Sequence, residues 1–311
     1  MPTPQRDDPF LLPKDFVASP TALSGRYTRP EADRYTRWLA THHYENFRVV
    51  SFLLPRRLHQ DFYNVYSFCR WADDLGDEIG DPAESLRLLE WWRGQTDAMY
   101  KGDVRHPVFV ALEQTVRRHD IPPEPFHDLI RAFVQDQTVT RYENIEALLD
   151  YCRYSANPVG RLVLYLCGYS DAERFRFSDA ACTGLQLANF CQDVRVDMDK
   201  DRIYVPVEIL RRHGYSVERL RKREYSHAFR ESMRELVLLA RRHLQEGLPL
   251  SRMVRRRLSV DVELFSHGGF KILEKIEARR YNVFDRRPLV TRRDQFMLLV
   301  RTVPRVLFRL V

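Results

Sequence analysis

The sequence is short of ordered cysteine, of long apolar runs and of alternating patterns, and each shortage closes a class of protein. Its five cysteines are Cys69, Cys152, Cys167, Cys182 and Cys191. An odd number without regular spacing argues against a disulfide framework. With no CxxC pair and no Cys/His cluster there is no signature for zinc. The cysteines read as small core residues in a reducing compartment. The first residues, MPTPQRDDPFLLPKD, lack the apolar stretch of a secretory signal. The most continuous apolar run, Leu162 to Tyr169, falls far short of the ~20 residues that span a bilayer. A cytoplasmic protein is expected, at most peripheral at the inner face of the membrane. Almost nothing alternates with a period of two, no internal repeat is visible, and no Gly-x-Gly-x-x-Gly occurs.

What is present is a helical pattern over 311 residues, 44% of them hydrophobic. That length suits one large domain or two small ones, with a sizeable core. Apolar residues recur three and four apart in Phe62–Val65–Tyr66–Cys69, Leu86–Leu89 and Leu236–Leu239–Ala240–Leu244. Breaks fall at Pro55, Gly80–Asp81–Pro82, Lys101–Gly102–Asp103, Ile121–Pro122–Pro123 and Gly247–Leu248–Pro249. The expectation is one all-α domain of roughly a dozen helices over 31–290, after a flexible tail over 1–30. Residues 291–311 form a separate basic segment, with Arg292, Arg293, Arg301, Arg305 and Arg309 against Asp294. It reads either as an amphipathic helix resting on an anionic membrane or as a terminal helix packed on the body. Pro304 is expected to break or kink it. The net charge of +7 suits an anionic substrate, anionic lipid or nucleic acid, or no partner at all. No nucleic-acid motif accompanies it, so no nucleic-acid partner is expected.

Two acidic ladders stand out. The first is Asp73–Asp74–Leu75–Gly76–Asp77–Glu78, and Asp73 and Asp77 share a helical face. The second sets Asn189, Asp193, Asp197 and Asp201 four apart, after a mostly apolar helix from Ala180 to Phe190. Like charges at this spacing destabilise a helix, and burial pushes carboxylates toward their neutral form. A cation should compensate, and carboxylate oxygens suit Mg²⁺, which brings affinity for phosphates. One such stretch reads as a solvated acidic face. Two, each following apolar helix, point to a shared diphosphate–metal site across a bundle. Departure of diphosphate from an allylic carbon needs its charge neutralised, and the cation left behind needs an aromatic, water-poor cavity. Phe47, Phe52, Tyr66, Tyr154, Phe190 and Tyr204 are candidate lining residues; ordinary core packing is the alternative for each.

These residues resemble the head-to-head isoprenyl synthases, the squalene, dehydrosqualene and phytoene synthases, over roughly residues 40 to 290. Tyr66-x-x-Cys-Arg-x-x-Asp73-Asp74-x-x-Asp77 is similar to their first aspartate motif. Asn189-x-x-x-Asp193-x-x-x-Asp197-x-x-x-x-Arg202-x-Tyr204-x-Pro206 is similar to their second. The resemblance implies an isoprenoid synthase bundle around a central cavity. It implies two or three Mg²⁺ ions on Asp73, Asp77, Asn189, Asp193 and Asp197, and no nucleotide cofactor. Arg70 and Arg202 would approach the phosphates, and Tyr66 and Tyr204 would border the site. Tyr151, Ala156, Val159 and Gly160 would follow the prenyl tails around a helix bend, where Pro158 and Gly160 open room. Gln186 and Arg286 complete the implied substrate contacts.

The departures point to a branch. Gln192 stands where an arginine is usual, Asn46-Phe47 replaces Ser-Phe, and the bend segment reads Ser155-Ala-Asn-Pro-Val-Gly-Arg161. Together they resemble the bacterial hydroxysqualene synthases of hopanoid-type pathways. Those are implied to ionise presqualene diphosphate and let water capture the rearranged cation, between a presqualene diphosphate synthase and a hydroxysqualene reductase. Separately, Asp201 replaces a glycine before Arg202, so the loop that ends the second ladder is expected to differ. Asn157 is a candidate for positioning that water; satisfying the backbone at the Pro158 kink is the alternative. Condensation of two farnesyl diphosphates to presqualene diphosphate or another C30 product uses the same site. A non-catalytic assembly factor of the same body would have lost aspartates, and here both ladders are intact.

Overall fold

Helix punctuation in the sequence becomes helix boundaries in the structure, a computed structural model that describes residues 10–42 and 54–308. Asn46, Phe47 and Phe52 lie outside the described residues. The chain divides into two compact units, 1–137 and 138–311, where the sequence read as one body. The first holds α1 (Pro13–Val17), α2 (Pro20–Ser24), α3 (Arg29–His42), α4 (His59–Asp77), α5 (Pro82–Tyr100), α6 (Pro107–Arg118) and α7 (Glu124–Gln135). The second holds α8 (Ile145–Ser155), α9 (Asn157–Leu166), α10 (Ala172–Asp199), α11 (Val207–Arg212) and α12 (Val217–Arg221), then α13 (His227–Gly247), α14 (Leu250–Met253), α15 (Arg256–Ala278) and α16 (Arg292–Leu307). The all-α expectation holds among the described residues, where the only strand-like pairing is a single parallel bridge between Arg141 and Ile203.

The breaks have local causes. Gly80 takes a left-handed φ of 82°, and Asp81 then caps α5 by accepting from the Ala83 amide, with Pro82 in the first turn. Asp171 caps α10 through the Arg174 amide at 3.0 Å. The expected flexible tail is corrected for residues 10–28. Leu12 and Ser19 lead into α1 and α2, and Phe16 is buried edge-on against Trp71, 5.2 Å between ring centroids. An aromatic side chain that buries its whole surface offsets the cost of ordering the segment.

In the first unit α4 is the central helix. Its inner face, Phe68, Trp71 and Leu75, is fully buried, and Trp71 stacks on Trp92 at 5.0 Å and 6°. At its start the buried Asp61 carboxylate accepts from the Thr115 hydroxyl at 2.9 Å and from Arg118 and His119. That network satisfies a charge that would otherwise be costly to bury.

In the second unit α10 and α13 cross at backbone contact. A Cβ on Gly184 would meet the Leu244 nitrogen at 2.6 Å, and one on Gly247 would meet Ala181 at 2.7 Å. Only glycine permits that approach, which sets the ladder helix deep in its unit. The C-terminal helix keeps its hydrogen-bonding pattern past Pro304 to Leu307, so the expected break does not occur. Proline four residues from the end costs only part of one turn. Thr302 and Val306 are buried, and α16 is tied to α15 by Lys275–Asp294 and Arg305–Glu263 pairs, each at 2.5 Å. The opposite side exposes Phe296 (63%), Val300 (51%) and the flanking arginines.

Candidate active site

Both ladders sit at the C-terminal ends of their helices, where the backbone carbonyls already present partial negative charge. Asp74 and Asp77 fall in the last turn of α4, Asp197 and Asp199 in the last turn of α10, and neither turn carries a basic residue. Placing acids there costs stability, and a bound cation would offset it.

On α4, Tyr66, Arg70, Asp73 and Asp77 follow one side of the helix and are half-buried to exposed, opposite the buried Phe68–Trp71–Leu75 face. Arg70 donates to Asp73 Oδ2 at 3.1 Å and pairs with Asp74 on the next turn. Asp74 is the buried member of the group, and burial pushes its carboxyl up to about 6 in spite of Arg70.

On α10 the ladder is Asn189, Asp193 and Asp197. Asn189 is exposed, Asp193 is 7% exposed, and Asp197 lies between. Burial, then the neighbouring Asp193 charge, pushes the Asp197 carboxyl up to about 7. Asp201 is not part of the stripe. The helix ends at Asp199, and Asp201 adopts a φ of 54° and pairs with Arg221 at 2.6 Å. A left-handed residue suits glycine, and aspartate tolerates it better than most.

Tyr204 stacks on Phe190 at 4.0 Å and 6°, with Tyr151 and Tyr142 completing a buried aromatic group. Tyr142 was not foreseen. It is brought in by extended backbone: Ile203 donates to the Thr140 carbonyl at 2.8 Å and Val207 to the Tyr142 carbonyl at 2.9 Å. A pairing this short leaves no alternation to read. Tyr154, on α8, carries the Arg153 guanidinium over its ring, 5.6 Å from the centroid.

The bend segment is a true break, with Ala156 ending α8 and starting α9. Gly160 does not open room, however. A Cβ there would collide with Ser178 and sit 2.6 Å from Cys182 Sγ, so glycine lets α9 press against α10. Arg161 locks the pair by a two-point bridge to Asp179 at 2.9 and 2.5 Å. Val159 is exposed, and Gln186 on α10 is half-buried. Asn157 is buried, and its Oδ1 accepts from the Thr183 hydroxyl at 2.9 Å, a side chain of α10 rather than the backbone at the kink.

The segment after Tyr281-Asn-Val carries two arginines in succession, Arg286 and Arg287. Arg286 is exposed, and its carbonyl accepts from Arg279 at 2.6 Å. Arg287 instead reaches Asp193, donating through Nη2 to Oδ2 at 2.8 Å and through Nε to Oδ1. Gln192 donates its amide to the Pro288 carbonyl.

Among the described residues, no three of His, Cys, Asp and Glu converge on one point. Magnesium asks less: one or two carboxylates, with water and phosphate oxygens completing its shell. Asp73 with Asp77 in the first unit, and Asp193 with Asp197 in the second, are hard oxygen donors at negatively polarised helix ends, and each pair by itself fits that ion's donor chemistry.

An all-α frame of this kind is that of the isoprenoid synthases, enzymes that process prenyl diphosphates. The chain belongs to the squalene/phytoene synthase family, whose pattern it matches over residues 40–294. It is 35% identical to the hydroxysqualene synthase of Sinorhizobium fredii over 77% of this chain and 82% of that one. It is 30% identical to the phytoene synthase of Thermus thermophilus, over 83% and 87%. The solved structure of squalene synthase HpnC from Alicyclobacillus acidocaldarius superposes with a TM-score of 0.78 at 41% identity, covering 81% of this chain and 95% of that one. Among the described residues, no helix is long and apolar enough to cross a membrane.

Proposed function

We propose that this enzyme ionises presqualene diphosphate with Mg²⁺ and lets water capture the rearranged cation, giving hydroxysqualene and diphosphate. The observation that carries the chemistry is the pair Asp193 and Asp197, on the helix whose Phe190 stacks in the aromatic group. Likeness to relatives named hydroxysqualene synthase, at 32–35% identity, supports the branch.

Bound magnesium would neutralise the departing diphosphate. Asp73 and Asp77, and Asn189, Asp193 and Asp197, would hold it, with Arg70 and Arg202 directed at phosphate oxygens. The cyclopropylcarbinyl carbon–oxygen bond would break, the carbon skeleton would rearrange, and a water oxygen would bond to the cation while its proton passes to the departed diphosphate or to solvent. The faces of Tyr151, Phe190 and Tyr204, with Tyr142, would stabilise the cation and limit water. Asn157, held by Thr183, would position the one water that reacts. Unchanged alcohol yield in Asn157→Ala would remove that role.

The likeness to phytoene and squalene synthases favours a second reading, condensation of two farnesyl diphosphates. Product analysis with purified protein and Mg²⁺ separates them. Alcohol from presqualene diphosphate with no turnover of farnesyl diphosphate is expected; consumption of farnesyl diphosphate would establish the second. The outer face of α16 would rest on anionic lipid, and flotation with phosphatidylglycerol vesicles that is lost in Phe296→Glu is the expected sign.

A further inference from the structure

Asp193 is nearly buried, and both of its oxygens are occupied by the Arg287 guanidinium. A two-point pair of this kind is among the stronger hydrogen-bonded contacts a side chain makes. These are the oxygens that a metal would need.

The segment carrying Arg287 is held from several directions within its unit. Arg280 and Tyr281 both adopt left-handed φ values, 52° and 64°, which reverse the chain after α15. Phe284 then stacks on Phe229 at 4.3 Å. Arg195 donates to the Phe284 and Asp285 carbonyls at 3.2 and 3.1 Å, and Gln192 grips the Pro288 carbonyl. Gln192 and Arg195 flank Asp193 on the same helix. The ladder helix therefore anchors, on either side of Asp193, the segment that covers it.

We propose that Arg287 occupies Asp193 as a stand-in cation until a diphosphate arrives, and that Gln192 is the positioning residue that holds it there. The inference rests on the reading of Asp193 as part of a metal–diphosphate site. A guanidinium fork matches phosphate oxygens as well as it matches carboxylate. An arriving diphosphate therefore gives Arg287 a second partner, and its departure uncovers Asp193 for the metal. Metal and diphosphate then bind together, and metal alone binds weakly. The device also gives Gln192 a task. An arginine at 192 would bring its own charge to the ladder, whereas glutamine spends its amide on Pro288 and brings in the guanidinium of Arg287.

The test uses the full chain and Mn²⁺ as the probe, titrated by electron paramagnetic resonance with and without inorganic diphosphate. Without diphosphate, Arg287→Gln should bind Mn²⁺ about tenfold more tightly than the parent. Arg287→Lys keeps the charge but not the fork and should gain nearly as much. Gln192→Met, with its fold checked by circular dichroism, should gain in the same direction. With diphosphate present, the advantage of all three should shrink toward nothing. Variants that bind Mn²⁺ like the parent, or an advantage unchanged by diphosphate, would overturn the clamp. A lysine variant identical to the parent would also overturn it, because charge alone would then explain the glutamine result. A parent protein that binds no Mn²⁺ even with diphosphate would instead sink the metal–diphosphate reading.

Discussion

The two ladders solve one electrostatic problem by different means. On α4 the compensating cation is local: Arg70 lies three and four residues before the aspartates it pairs with. On α10 it is remote, because Arg287 comes from a segment 94 residues further along the chain. A local pair is set by helical spacing and survives wherever the helix forms. A remote pair exists only once α10, α13, α15 and the segment after α15 have packed. The first ladder carries its own counter-charge, whereas the charge balance of the second depends on tertiary structure.

Removing a ladder carboxylate should have the largest effect. Asp73→Ala and Asp193→Ala should each lower kcat/KM on presqualene diphosphate by about 100-fold or more, as loss of a charge-stabilising group commonly does. Asp201→Ala, off the stripe, should stay within about threefold. A large Asp201 effect would break the distinction between stripe and turn.

Next comes the local pair. Arg70→Gln should cost about 2–3 kcal/mol in urea unfolding at pH 8, because it leaves Asp74 charged and buried. At pH 5 the cost should be much smaller, since Asp74, pushed up to about 6, is then protonated. An equal cost at both pH values would show that Arg70 acts by packing alone.

Gly184→Ala tests the remote arrangement. Its Cβ would meet backbone on α13, so a loss of about 1–3 kcal/mol is expected, with weaker anchoring of the second ladder. The measurements are the thermal midpoint and the Mn²⁺ titration on the same preparation.

The smallest effect has the opposite sign. Asp197 has its folded-state carboxyl pushed up to about 7 from a model-compound value of 3.8. The unfolded chain releases this proton first, so stability is full below pH 4 and falls as pH rises toward 7. Asp197→Asn removes that loss. The metal-free variant should be more stable than the parent by about 1–2 kcal/mol at pH 8 and equal to it at pH 4. Equal stability at pH 8 would mean that water or nearby cations already satisfy the carboxylate.

Much of this was legible without coordinates. Apolar spacing and breaks at Gly80–Asp81–Pro82 and Pro122–Pro123 marked helix ends, because capping and proline geometry act over a few residues. The ladders were legible for the same reason, down to Asp73 and Asp77 sharing one side of a helix. The errors lie where tertiary contact overrides local pattern. Phe16 turns an apparent tail into an ordered segment by finding Trp71. Gly160 reads as a kink that opens space but serves close packing against Ser178 and Cys182. Asp201 continues the four-residue spacing on paper, yet it lies past the helix end.

The sequence by itself determined that the protein is all-α, that two acidic stripes end two of its helices, and that these resemble the motifs of one enzyme family. All of that is encoded in spacings of three or four residues. Only the tertiary structure decided which arginine reaches Asp193, which tyrosine joins Phe190 and Tyr204, and what Gln192 grips. Those partners lie tens of residues away, and their meeting depends on whole helices coming to rest against one another.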